Sequence, residues 1–518
     1  MKKNLLFMIL ILAFVLSGCS SGGESATDSN VKKQATELKV AINAQPNTLD
    51  PHITTAGITR DISRNIYEQL VVLNDKYEVV PELAEKVEQS GDNKKFTFIL
   101  RKGVKFHNGK ELTADDVVAS MNRWIDNFGT IQSVVGDARF KKVDDYKVEI
   151  QLSKGVLEFQ SMIAGAKQLA SIMPEEVINN AAANGVTETI GTGPFSFIEW
   201  KSEQYIHLKK FKDYQSIDIP SQGLAGTKEL FINNLYFYIV TDASTRLAGL
   251  QTGEYHIARS LSYDDFDMIE NNSDLASESE LLGDLTIVYN KKTGLMANQK
   301  MRQAINATLD IDEIMMGAGT NEKFYRMGSS YMFEEQEAWF SESGSEHYNQ
   351  KNEKIAKQLL KEAGYNGEEL VMVTNKEYPQ FYNATIVIKD QLERIGVKVR
   401  IDVYDWATQL EIENDPDKFD LYVMSYSPVT TPTSYLYLSP TYSGWTDDKK
   451  ISKLMVKIDN ETTREDAKAA WDELQGNMWE SLPITSLGDI YTLTGRSKKV
   501  SNLEFFQGPI FWNVKVTE

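Results

Sequence analysis

The chain is poor in cysteine and histidine, with one Cys, at position 19, and five His in 518 residues. A single thiol excludes any disulfide within the chain. His52, His107, His207, His256 and His347 are scattered and form no HExxH or HxxH arrangement, so no local motif supports a zinc or non-haem iron site. G-x-S-x-G, G-x-x-x-x-G-K-[ST] and G-x-G-x-x-G are also missing. The nearest stretch, GTGPF at 191–195, puts Pro194 where a phosphate-cradling loop needs a backbone N–H. Positive charge is in deficit: 55 Lys and Arg against 74 Asp and Glu leave a net charge of -19, which repels nucleic acid and anionic lipid. These shortages predict no catalytic residues, no metal, no cofactor and no nucleic-acid partner.

The N-terminus is rich in compartment signals. Lys2 and Lys3 precede an apolar run from Leu5 to Leu16, which leads into LSGC ending at Cys19. At about 12 residues the run is short of the roughly 20 needed to span a bilayer, and it reads as a secretory signal with a lipoprotein cleavage site. Residues 1–18 are therefore expected to be removed, leaving Cys19 to be lipidated. Two or three acyl chains on one residue suffice for lasting attachment to a membrane. Residues 19–37, rich in Gly, Ser and charge, read as a flexible tether. Loss of Lys2 and Lys3 takes the net charge to -21. The expected location is the extracellular face of the cytoplasmic membrane. With 42% hydrophobic and 25% charged residues the body is globular, and its length calls for two or more lobes.

Periodicity predicts an α/β protein. LKVAINA (38–44), FTFILR (96–101) and YKVEIQL (146–152) alternate as strands, and TADDVVASMNRW is a helix capped by Thr113 with Asp116 three positions on. Beyond residue 285, strand LTIVYN, helix KMRQAINATL, helix NEKIAKQLLKEAGY, strand LVMVT, helix ATIVIKDQLERIG and strand VKVRIDVY follow at short spacings. The last 40 residues read as mainly short strands without a core of their own, so they should return to an earlier lobe. Two crossings between lobes make a hinge, and the cleft between them is where a ligand belongs.

Two segments are candidates to line that cleft. In FDLYVMSYSPVTTPTSYLY (419–437) a strand runs into a turn-rich, hydroxyl-rich loop between aromatic rings. Rigid aromatic faces bind varied ligands at low entropic cost. Tyr426 and Trp445 flank this loop, Ser427, Thr430 and Thr431 lie within it, and Trp406 stands at the end of VKVRIDVY; all six are predicted ligand contacts, whereas Tyr422 is expected in the core. In NAQPNTLDP (43–51), Gln45, Asn47 and Thr48 could hydrogen-bond a ligand's backbone, with loop capping as the plainer role.

VVPELAEKVEQSGDNKKFTFILRKGVKFHNGKELTADDVVASMNR (79–123) resembles the signature region of extracytoplasmic solute-binding proteins of the peptide, dipeptide and nickel class, which serve ATP-driven importers. The similarity continues through GTGPFSFIEW, TRLAGLQTGEYHIA, MRQAINATLDIDEIM and AKQLLKEAGY, covering the chain after about residue 38. It implies a two-lobed periplasmic-binding-protein-like α/β fold with a hinge and an additional inserted domain (cluster C type, class II). A discontinuous lobe I would take 38–59, 186–265 and 483–518, an inserted subdomain 60–185, and lobe II 266–482. It also implies a monomer with two partners, a peptide or other small solute and the membrane permease subunits of an ABC importer. The block itself has a local explanation, a strand leaving at Gly103, a turn through Asn108 and Gly109 and a capped helix, with His107 expected to support the loop.

The ligand is less determined. Peptide-binding relatives carry an aspartate that pairs with the peptide's α-ammonium; matched on PTS at 432–434, its position falls near Pro428, and Tyr426 to Tyr435 contains no acid. Two readings remain: an oligopeptide held through its backbone, which is preferred, or a modified peptide, glycan-derived compound or nickel chelate. A surface hydrolase and a chaperone-like lipoprotein are the alternatives from other classes.

Overall fold

The structure, a computed structural model, describes residues 36–182 and 184–517. The signal segment, Cys19 and all but the end of the tether lie outside the described residues. The backbone of the molecule is a mixed sheet in the order Lys398–Tyr404, Glu369–Asn375, Leu421–Tyr426, Leu275–Tyr289, Ile484–Ser497, Ile257–Leu261, Glu37–Ile42, Asn234–Ile239, Tyr205–Lys210 and Phe195–Lys201. The first three strands pair parallel, as do Ile257–Leu261, Glu37–Ile42 and Asn234–Ile239, whereas the centre and the last three strands are antiparallel. A separate four-stranded antiparallel sheet joins Ala84–Gln89, Lys95–Leu100, Lys147–Gln151 and Lys141–Asp144, against the helix Ala114–Asn127.

Apolar burial divides the chain into distinct cores. One gathers Leu38, Val40, Ile42, Ile62, Phe195, Leu235 and Val514; one gathers Leu70, Phe96, Phe98, Val117, Trp124 and Ile172; and the largest gathers Leu285, Ile305, Ile388, Tyr422, Trp471 and Ile490. Leu275–Tyr289 and Ile484–Ser497 pass between cores: Leu275 and Leu493 pack in a cluster with Leu250 and Ile269, Leu285 and Ile490 in the largest core. The ladder joining these two strands is interrupted by register shifts at Leu281/Gly283 and at Leu285/Thr286. Such bulges bend and twist a strand pair. Gly283 has φ +149°, and a Cβ there would lie 2.3 Å from the Tyr426 carbonyl oxygen, so only glycine lets the neighbouring strand approach.

Two elements are longer than their patterns suggest. Leu275–Tyr289 begins ten residues before LTIVYN, because SESELLGD has too little apolar content to read as a strand. The returning Ile484–Ser497 is one 14-residue strand in place of several short ones, stabilised along its length by pairing with its antiparallel neighbour.

The 95–127 block folds as its sequence predicts. Gly103 (φ +77°) and Gly109 (φ +86°) make the turns, and Asp116 accepts hydrogen bonds from the Thr113 backbone and hydroxyl at 2.9 and 3.0 Å. His107 is a tertiary clamp: its Nε2 bonds the Gly193 carbonyl at 3.0 Å, its Nδ1 accepts from Gly191 N–H at 3.3 Å, and its ring packs edge-on against Phe211. Both nitrogens are used by the neutral ring, and burial pushes its pKa down to about 4, against the opposing pull of the Gly193 hydrogen bond. An unfolded chain takes up that proton near 6.5, so the contribution is full above pH 6.5 and lost as pH falls toward 4. His107→Gln should make the decline in melting temperature across this window shallower than in the wild type, read by thermal denaturation at pH 4 to 8.

Candidate ligand-binding site

A cavity of about 170 Å3 lies between the cores, walled on one side by Asn43, Thr54 to Ile58, Arg60, Asp61, Arg259 and Ser260, and on the other by Tyr378, Phe381, Trp406, Leu410, Met424, Ser427 and Tyr442. Lys167, from the segment between the helices Phe159–Ala164 and Glu175–Asn179, also reaches it. The aromatic wall is organised by local packing. Asp405 caps the helix Trp406–Ile412 through Thr408 N–H, which sets Trp406 against Tyr378 at a ring separation of 4.8 Å, and Tyr378 stacks on Phe381 at 5.2 Å.

The opposite wall is charged. Arg259, on Ile257–Leu261, reaches Asp61 at 2.7 Å and both oxygens of Glu280 at 3.0 and 2.8 Å, and Arg60 closes on Asp61 at 2.7 Å. Burial opposes charge on Asp61, but Arg60, Arg259 and Arg64 together hold its carboxyl below the usual range. Glu280 is pushed up by burial, which its pairing with Arg259 opposes. Arg64 sits behind, donating to the carbonyls of Phe506 and Gln507, and burial together with Arg60 pulls it down to about 9.

Of the nine expected contacts, Trp406 and Ser427 line this cavity and seven are placed elsewhere. Gln45 accepts from Glu203 N–H at 2.6 Å and Ser202, Thr48 accepts from Asp50 N–H, and Asn47 is exposed; the 43–51 loop spends its polar side chains there on capping, while Asn43 reaches the cavity. Tyr426 is buried behind the lining, edge-on to Tyr437. Trp445 stacks on Phe419 under Lys292. Thr431 bonds Thr433 and Ser434 within the turn, and Thr430 donates to the Ser161 carbonyl at 3.0 Å. The Thr431 hydroxyl is thus consumed within the turn and that of Thr430 on the neighbouring segment. Thr430 also borders a wider opening of about 780 Å3, lined by acidic Asp75, Glu78, Glu158, Glu335 and Glu337 with Arg464. The smaller cavity has the dry aromatic wall and convergent polar groups of a ligand site. Arg60, Asp61, Lys167, Arg259, Glu280 and Tyr378 are absent from the sequence-based candidates, because no spacing announces a cluster drawn from five separate segments.

No group of three or more His, Cys, Asp or Glu among the described residues is placed to hold a metal ion. With an aromatic wall, a neutralised charge lattice and a gap between two cores, the fold defines a two-lobed solute-binding protein. Residues 78–448 match the family "Bacterial extracellular solute-binding proteins, family 5 Middle", and the chain belongs to that family. The Bacillus subtilis (strain 168) oligopeptide-binding protein AppA is 26% identical over 527 residues, spanning 93% of this chain and 92% of that protein. Heme-binding protein A of Haemophilus influenzae (strain ATCC 51907 / DSM 11121 / KW20 / Rd) is 28% identical over 457 residues, 79% and 78% of the two chains. The structure of AgaA from A. tumefacien R10 in complex with agropinic acid superposes with a TM-score of 0.80 at 24% identity, covering 93% of this chain and 99% of that one. Family membership places the protein outside the cytoplasm as the non-catalytic solute-binding part of an ABC transport system with permease partners.

Arg259 carries the site's testable weight. Removing it leaves two buried carboxylates without their shared partner, a loss of about 3–5 kcal/mol for a broken buried pair. Arg259→Met is expected to lower unfolding free energy by that order at pH 7 in urea titrations. The deficit should shrink in acid, where Glu280 is neutral.

Proposed function

We propose that the protein is a receptor anchored by lipid at Cys19 to the extracellular face of the cytoplasmic membrane, acting as a monomer that captures a solute between its lobes and delivers it to an ATP-driven importer. The division into lobe I (38–59, 186–265, 483–518), inserted subdomain (60–185) and lobe II (266–482) belongs to this reading, with the hinge at the bulged strands. The observation that carries it is a cavity whose walls come from separately packed cores, Arg259 and Asp61 on one side and Tyr378, Trp406 and Ser427 on the other. Polar contacts bridge the gap: Asn43 donates to the Glu377 carbonyl at 3.3 Å, Thr430 to Ser161, and Arg464 pairs with Glu158 at 2.5 Å. Such contacts contribute little each, so a ligand can decide between open and closed forms.

The preferred cargo is an oligopeptide, supported by the likeness to the oligopeptide-binding AppA. Cavity size favours a second reading. At about 170 Å3 it falls below the roughly 300–1,000 Å3 of drug-sized sites, which suits a very short peptide or a compact non-peptide solute. Trp406 and Ser427 are the proposed ligand contacts among the residues singled out from sequence.

Native mass spectrometry of the gently purified full chain, followed by denaturation and identification of the released molecule, tests this reading. A carried solute of unchanged composition is expected, with a smaller radius of gyration by small-angle scattering when it is bound. A peptide ladder would select the first cargo and a single non-peptide mass the second. Release of a chemically altered product, or equal radii with and without the solute, would overturn the receptor reading.

A further inference from the structure

The cavity's charges do not cancel. Its lining holds three cations, Arg60, Lys167 and Arg259, against two carboxylates, Asp61 and Glu280. Both carboxylates are already engaged by guanidinium groups: Asp61 by Arg60 and Arg259, Glu280 by Arg259 on both oxygens. Among the described residues Lys167 has no such partner. Its Nζ lies 5.8 Å from the centre of the Tyr426 ring, and burial, followed by the repulsion of Arg60, lowers its pKa. A half-buried ammonium that faces a cavity without a counter-charge offers an anion a place to pair.

Resting on the receptor reading above, and taking its second cargo, a compact non-peptide or amino-blocked solute, over a free oligopeptide, we propose that the cargo is a monoanion with no free ammonium group, a carboxylate-bearing solute whose charged end pairs with Lys167. One surplus positive charge in the lining fits a monoanion. The same bookkeeping excludes a peptide amino terminus as the anchoring group, since neither cavity carboxylate is unpaired and the loop from Tyr426 to Tyr435 contains no acid. The apolar remainder of the solute has the Tyr378, Phe381 and Trp406 wall to rest on. The state of Lys167 agrees with this: burial pulls it down to about 8, so it is charged at neutral pH yet poorly compensated, and an anion would restore it. The groups facing the same space are Arg60 and Asp61 from the helix Gly57–Ser63, Arg259 and Glu280 from two strands, and the phenols of Tyr378 and Tyr442; burial raises both phenols, so neither titrates near neutrality.

Four matched probes separate the charge states on one skeleton: N-acetyl-Ala-Ala (anion), Ala-Ala (zwitterion), N-acetyl-Ala-Ala-amide (neutral) and Ala-Ala-amide (cation), titrated calorimetrically into the full chain in detergent. The anion should bind at least tenfold more tightly than the neutral probe and more tightly than the zwitterion, with the cation weakest. Its advantage should hold below pH 8 and fall as pH rises above that, as Lys167 loses its proton. Lys167→Met should abolish the preference and Lys167→Arg retain it while removing its decline above pH 8; urea midpoints of both variants show whether the fold is intact. Equal or tighter binding of the zwitterion or cation would overturn the proposal, as would an undiminished preference in a folded Lys167→Met. Failure of all four to bind also overturns it, but leaves the receptor reading to the mass spectrum of the carried solute.

Discussion

Much of the site depends on one buried guanidinium. Arg259 comes from Ile257–Leu261, Asp61 from the helix Gly57–Ser63, and Glu280 from the strand that crosses between cores, so their mutual pairing ties three elements together on the cavity wall. Charges buried to this degree persist when paired and hydrogen-bonded. Pairing has a second effect: it takes both negative charges out of play and leaves the sign of the cavity to Lys167. A structural lattice thereby sets the binding chemistry.

Around that lattice the forces are unequal. Each core is apolar and extensive, with Trp124 in one and Trp471 and Trp479 in another fully enclosed. Away from the crossing strand pair and the Arg259–Glu280 pairing beside it, isolated hydrogen bonds and an ion pair between Arg464, 49% exposed, and Glu158 lie across the gap. In the proposed receptor reading, bodies with large cores of their own and weak contacts between them open and close on a solute. The bulged strand pair, with Gly283 admitting a close neighbour, gives that motion a place to occur.

The fold was legible where periodicity was strong and local. The strand Glu37–Ile42, the capped helix Ala114–Asn127 and the α/β succession after residue 285 follow from spacing alone. Leu275–Tyr289 was half hidden because its first part carries Ser277, Glu278, Ser279 and Glu280, and its pairing partners supply the order that its own pattern lacks. At the site, Trp406 was legible as an aromatic residue at the end of a strand. The hydroxyls of the 427–434 loop read equally well as ligand contacts or as loop supports, and in Thr431 and Thr433 the support role used them.

The amino-acid sequence by itself determined the family, the expectation of export, the impossibility of an internal disulfide and the α/β class, because each rests on composition or on patterns a few residues long. Tertiary structure alone decided which side chains face the cavity and what charge they leave there. Positions 60–61, 167, 259 and 280 come from separate segments of the chain, and whether a charge is spent or spare depends on burial and on its nearest partner in space, neither of which a local pattern encodes.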